Sequence, residues 1–148
     1  MTTSTNILPP LPRNIRQVKQ LQEASRCQPE NPTPHVHMGF SYMETGNLPA
    51  AIEQFRKARE KDPKEVKYFQ FLGGALEKAG QIQAAERQFG AAPNVNPDST
   101  EAWAELLAFY TRHRDLRPSA EACVRLHELS HGEARYSEQC ASLGLEIP

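Results

Sequence analysis

The 148-residue sequence predicts an all-α solenoid, a stack of antiparallel helix pairs, and three observations carry that prediction. The chain resembles itself after a shift of 34 residues, apolar residues recur at three- and four-residue spacing, and Gly and Pro mark the joints of each block. One block, from Pro32 to Glu65, contains Met38, Gly39, Tyr42, Gly46, Ala51, Phe55, Ala58 and Pro63. The next contains Leu72, Gly73, Leu76, Gly80, Ala85, Phe89, Ala92 and Pro97 at the shifted positions. Small residues at Gly39, Ala51 and Ala58 let paired helices approach closely, while Tyr42 and Phe55 fill the space beside them.

Taken in order, a proline-rich segment (1–13) precedes a helix expected at about 14–26. Shifted back one period from the first block, Leu21, Ala24 and Pro29 make this helix half of a unit. Pairs then follow at about 34–45 and 48–61, 66–79 and 82–92, and 100–113 and 117–130. Thr33 before Pro34, and Asn47 before Leu48 and Pro49, read as helix starts, and Asp98 with Glu101 reads as a capping box. Gly46 and Gly80 stand where the chain reverses and a left-handed residue ends a helix. Pro93 lacks an amide proton and is expected to end its helix about a turn early. The third block starts well with Trp103, Leu106 and Tyr110 but has Leu107 at the usual Gly. Ser130, His131 and Gly132 break the periodicity, so a last helix at about 133–143 is expected to cap the stack.

The period and pattern resemble the tetratricopeptide repeat, with full repeats at about 32–65 and 66–99 and a degenerate one at about 100–131. The resemblance spans roughly Asn14 to Leu129. It implies a right-handed α-solenoid of about three helix pairs, with an N-terminal half-repeat and a C-terminal capping helix, all in one domain over 14–148. It further implies a protein-protein interaction module, an adaptor or chaperone-like protein without enzymatic activity, binding a protein or peptide partner in its concave groove. The family's groove positions map onto Val36, Phe40 and Met43 in the first repeat, Lys67, Gln70, Glu77 and Lys78 in the second, and Glu101, Thr111 and Arg112 in the third. Gly74, Ala104 and Ala108 line the same face. Some relatives clamp a chaperone's C-terminal carboxylate with Lys and Asn. Here Val36, Phe40 and Phe71 stand at those positions, so that mode is not expected.

Val36, Phe40 and Met43 form a second apolar face on a helix whose His35, Met38 and Tyr42 face the core. An apolar anchor for a partner's helix or extended peptide is one reading. The other is cover from within the chain, by the half-repeat or by the extended run Ile7, Leu8, Pro9, Pro10, Leu11 and Pro12. If a neighbour's run fills the groove, the protein is a self-assembling subunit, a homo-oligomer.

Composition narrows the field further. A net charge of -1, from 17 basic and 18 acidic side chains, gives no pull toward nucleic acid. No apolar run is long enough to cross a bilayer and no signal-peptide pattern opens the chain, so it is expected to begin near Met1, in the cytoplasm. Cys27, Cys123 and Cys140, odd in number and irregular in spacing, are expected to be free thiols in a reducing compartment. Cys123, His127 and His131 step by four residues, and Cys123 with His127 is a metal pair worth naming beside their readings as core and helix-end residues. No cofactor is expected, and no nucleophile or phosphate-loop motif is present.

Overall fold

The computed structural model describes residues 13–145, the side chains of residues 13 and 116–118 aside. Eight helices and no strands make up the described residues: α1 (Arg13–Cys27), α2 (Thr33–Glu44), α3 (Leu48–Lys61), α4 (Val66–Lys78), α5 (Ile82–Val95), α6 (Thr100–His113), α7 (Leu116–Leu129) and α8 (Ala134–Ser142). Each packs on the next in chain order, and the pairs α2/α3, α4/α5 and α6/α7 are the units of the expected all-α solenoid. The proline-rich run Ile7 to Pro12 lies outside the described residues.

The repeat is a packing rule made visible. A Cβ on Gly39 would stand 2.5 Å from the Phe55 ring, and one on Gly73 would stand 3.0 Å from the Phe89 ring. Each pair is thus closed by an aromatic ring laid on a bare helix backbone, and both rings are buried. The third unit inverts the sizes, with Leu107 at the glycine position and Cys123 at the aromatic one, both buried in one cluster. Its sequence departs from the pattern while the filled volume is kept.

The reversals repeat too. Gly46 and Gly80 are left-handed, at φ 76° and 77°. The following amides of Asn47 and Gln81 donate back to Tyr42 and Leu76 carbonyls, at 2.9 Å each. In the third pair Arg114 takes the same role at φ 53°, and Asp115 N–H donates to the Tyr110 carbonyl.

Four expectations need correction. Thr33 does not cap α2; Pro32 occupies the cap position, and Asn31 Oδ1 accepts from the Thr33 amide at 3.0 Å. Ser99, not Asp98, caps α6 through the Ala102 amide, whereas Asn47 caps α3 as expected. Pro93 does not end α5, which runs on to Val95. So near the helix end the missing amide removes one ladder bond, the Pro93 ring is buried, and the ladder resumes with Asn96 N–H donating to Ala92 O. The largest correction concerns the thiols: Cys123 and Cys140 are joined in a disulfide that ties α7 to α8, leaving Cys27 free and exposed. Seventeen residues apart in sequence, the two cysteines meet only because α8 folds back onto α7.

Candidate partner-binding groove

The first helices of the three pairs, α2, α4 and α6, carry every groove residue expected from the sequence, and the structure sorts these into two clusters. At the α2 end the cluster is aromatic. Phe40 packs edge-on against Phe55 at 5.1 Å and against Phe71 at 4.9 Å, with Tyr68 beyond Phe71 at 6.4 Å. Val36, Met43 and Phe71 are half-buried against the main core, whereas Phe40 is 39% exposed, one of the few large apolar side chains so placed. Phe40 therefore rests on a rigid aromatic base and turns its other side to solvent.

The half-repeat does not cover it. Helix α1 packs on α2 away from Phe40: Asn14, Ile15 and Val18 border one crevice with Ser41, Tyr42 and Thr45, and Leu21 and Ala24 border another with Pro34 and His37. His35 is buried as expected, its Nδ1 2.8 Å from Gln54 Oε1 on α3.

The second cluster is ionic and joins α4 to α6. Arg112 donates twice to Glu77, from Nε and Nη2 at 2.9 Å each, and His113 Nε2 lies 2.8 Å from the same carboxylate. These hydrogen bonds, Arg112's foremost, hold the Glu77 carboxyl below its ordinary range against the opposing effect of burial, and raise Arg112 in return. The groove's one bidentate pair is thus closed on itself, and Arg112 presents little unpaired charge to a ligand.

The remaining positions join neither cluster. Lys67, Lys78 and Glu101 are exposed, and Thr111 spends its hydroxyl on the Leu107 carbonyl at 2.8 Å. Gln70 is half-buried with Nε2 enclosed and without a hydrogen-bond partner, an unmet donor. Phe71 and Tyr68 were not among the expected groove residues. Phe71 had a signal in the sequence, since it stands where the resemblance would place a polar clamp residue; Tyr68 had none.

The metal pair does not survive. The Cys123 sulfur is bonded to Cys140 and offers no thiolate, and His127 Nδ1 is enclosed without a partner. No group of three or more metal-ligating side chains gathers among the described residues. No helix among them is long and apolar enough to cross a membrane.

A family profile described as tetratricopeptide repeat matches residues 42–108. A search of curated proteins finds no match. Among solved structures, the crystal structure of MamA superposes with a TM-score of 0.68 at 21% identity, over 85% of this chain and 74% of that one. MamA from Desulfovibrio magneticus RS-1 gives 0.67 at 21% identity, over 88% and 74%. YrrB, described as a tetratricopeptide-repeat protein with an unusual peptide-binding site, gives 0.66 at 19% identity, over 88% and 67%. At such identities the likeness is one of fold.

Proposed function

Because the chain is a tetratricopeptide-repeat protein, by sequence over residues 42–108 and by fold along its helix stack, we propose that it is a non-enzymatic adaptor or chaperone-like module that holds a partner's peptide segment in its concave groove. The observation that carries this reading is Phe40, exposed to 39% on a base of Phe55 and Phe71. An apolar side chain of the partner, laid between Val36, Phe40 and Met43, would bury a ring that the described residues leave open. The peptide-binding site named for YrrB supports the class of ligand, and the apolar floor argues against a charged carboxylate clamp.

Selection from a displayed library of random peptides tests it. The intact protein should enrich a motif with an apolar or aromatic anchor, and Phe40→Asp should lose that motif while its circular dichroism stays unchanged. Absence of any enriched motif would sink the reading. Self-assembly through the segment Ile7 to Pro12 is the second reading, and solution mass separates the two. An oligomer that falls to monomer in Phe40→Asp supports assembly, whereas a monomer in both proteins supports the adaptor. A cytoplasmic placement, expected from the absence of a signal-peptide pattern and from unpaired thiols, loses the second of these supports once Cys123 and Cys140 are joined, since disulfides persist mainly in oxidising compartments.

A further inference from the structure

On the face away from the groove, α3 and α5 leave a crevice of about 260 Å³ between them. Its lining includes Leu72 and Leu76 of α4 and three arginines, half-buried Arg59 and the exposed Arg56 and Arg87, together with Gln81 and Gln88. The chain as a whole carries a net charge of -1, so a convergence of three arginines is local and not a reflection of a basic protein.

Two of the three lack a counterion. Arg56 Nη1 pairs with Glu53 at 2.7 Å on the surface, but neither Arg59 nor Arg87 pairs with a carboxylate among the described residues. Arg59 is also held in place: its guanidinium lies over the Phe69 ring at 5.6 Å and donates one bond to Gln88 Oε1 at 2.6 Å. Most of its five N–H donors are left over. A half-buried, pre-positioned guanidinium beside apolar side chains is the arrangement in which an oxyanion is gripped well.

The repeat supplies an internal control. Shifted forward by one period, Arg56, Arg59 and Arg87 become Gly90, Pro93 and Glu121, and Gln81 becomes Asp115. Shifted back, the three arginines become Gln22, Ser25 and Glu53. The packing pattern that recurs through the stack does not ask for arginine here; the trio belongs to one crevice alone.

We infer that this crevice is an anion site that takes one oxyanion-bearing side chain of a peptide, a phosphorylated hydroxyl or a carboxylate. Its volume lies at or below the small end of the range for small-molecule sites, which suits a single side chain and not a nucleotide. Arginine clusters read acidic and phosphorylated peptides by bidentate hydrogen bonding, and Glu53 on Arg56 is the intramolecular carboxylate that such a ligand displaces. The site shares no residue with the aromatic groove and stands independently of it.

The test is a titration of the full-length, isotope-labelled protein with capped five-residue alanine peptides carrying phosphoserine, glutamate or serine at the centre. The side-chain Nε–H signals of Arg56, Arg59 and Arg87 are followed by NMR. Saturable shifts of all three with the phosphoserine or glutamate peptide, and none with serine, are expected. The tighter of the two identifies a phosphopeptide or an acidic segment as the source. The double variant Arg56→Gln/Arg87→Gln should bind at least tenfold more weakly with an unchanged melting temperature, and Phe40→Ala should titrate like wild type. Titration of the double variant like wild type, loss of binding in Phe40→Ala, or no saturable shift with either anionic peptide would overturn the assignment.

Discussion

At the scale of single residues, the three glycines in the middle of α2 and α4 test whether the repeat is about volume or about backbone freedom. None of Gly39, Gly73 and Gly74 has a left-handed backbone, so each could carry a side chain on conformational grounds. Alanine would favour the helix by about 1 kcal/mol at every one. At Gly74 the new methyl meets nothing within 4 Å, and the substitution should stabilise the protein by about 0.5–1 kcal/mol. At Gly39 it would lie 2.5 Å from the ring of Phe55, which is fully buried and cannot retreat without disturbing Phe40. Overpacking of that kind costs roughly 1–3 kcal/mol, so Gly39→Ala should be net destabilising. Gly73, with its contact at 3.0 Å, should fall between the two. Urea unfolding of the three variants gives the order directly. A Gly39→Ala protein as stable as Gly74→Ala would show that the close approach of α2 and α3 is not the reason for the glycine.

Among elements, the contact of α6 with α5 carries a titration. The Tyr110 hydroxyl donates to Glu86 at 3.3 Å, and burial first, then the charge of Glu86, pushes its ionisation up to about 12. The unfolded chain releases that proton near pH 10, so the folded state holds it more tightly. The resulting stabilisation is fully present below pH 10 and is lost as pH rises from about 10 to about 12. Tyr68, shifted upward by burial and by Asp62 and Glu65, contributes in the same direction. Urea midpoints measured across that range should fall for wild type and fall less for Tyr110→Phe; parallel curves would remove Tyr110 from the account. The boundaries of these elements were largely legible in the sequence, because the repeat states each one twice, and Asn47, Gly46 and Gly80 act locally. What was not legible depended on distance. The aromatic position of the third unit reads as a plain cysteine until α8 folds back and places Cys140 against it. Pro93 reads as a helix end until the burial of its ring is known. Of the groove, Phe40 could be named from spacing and Phe71 as an apolar residue at a clamp position, whereas the contact between their rings exists only once α4 packs on α3. The arginine crevice is likewise assembled from residues 28 to 31 positions apart.

For the molecule as a whole, the core is unevenly distributed, and its stability should follow. The largest cluster of buried side chains runs through α3, α4, α5 and α6, from Ala51 to Tyr110. At one end, α1 contains no fully buried side chain among its described residues. At the other, α8 buries only Tyr136 and Cys140, against Leu107, Ala122, Cys123 and Leu126. Solenoid units are held by their neighbours, so opening should cost least at the ends and most in the middle. The disulfide breaks that symmetry. Closing a loop between residues 17 apart is worth about 3 kcal/mol through the unfolded chain, enough to hold a nine-residue helix that buries two side chains. Hydrogen exchange should therefore find α1 opening first and α8 protected in the oxidised protein. After reduction, or in Cys140→Ser, α8 should exchange as fast as α1 while α3 to α5 keep their protection. The released helix would uncover Leu107 and Leu126, so the reduced protein should also bind a hydrophobic dye that the oxidised one does not. If α8 exchanges at the same rate before and after reduction, with the thiols confirmed free by mass, the helix is held by packing alone and the disulfide has no part in closing the end of the stack.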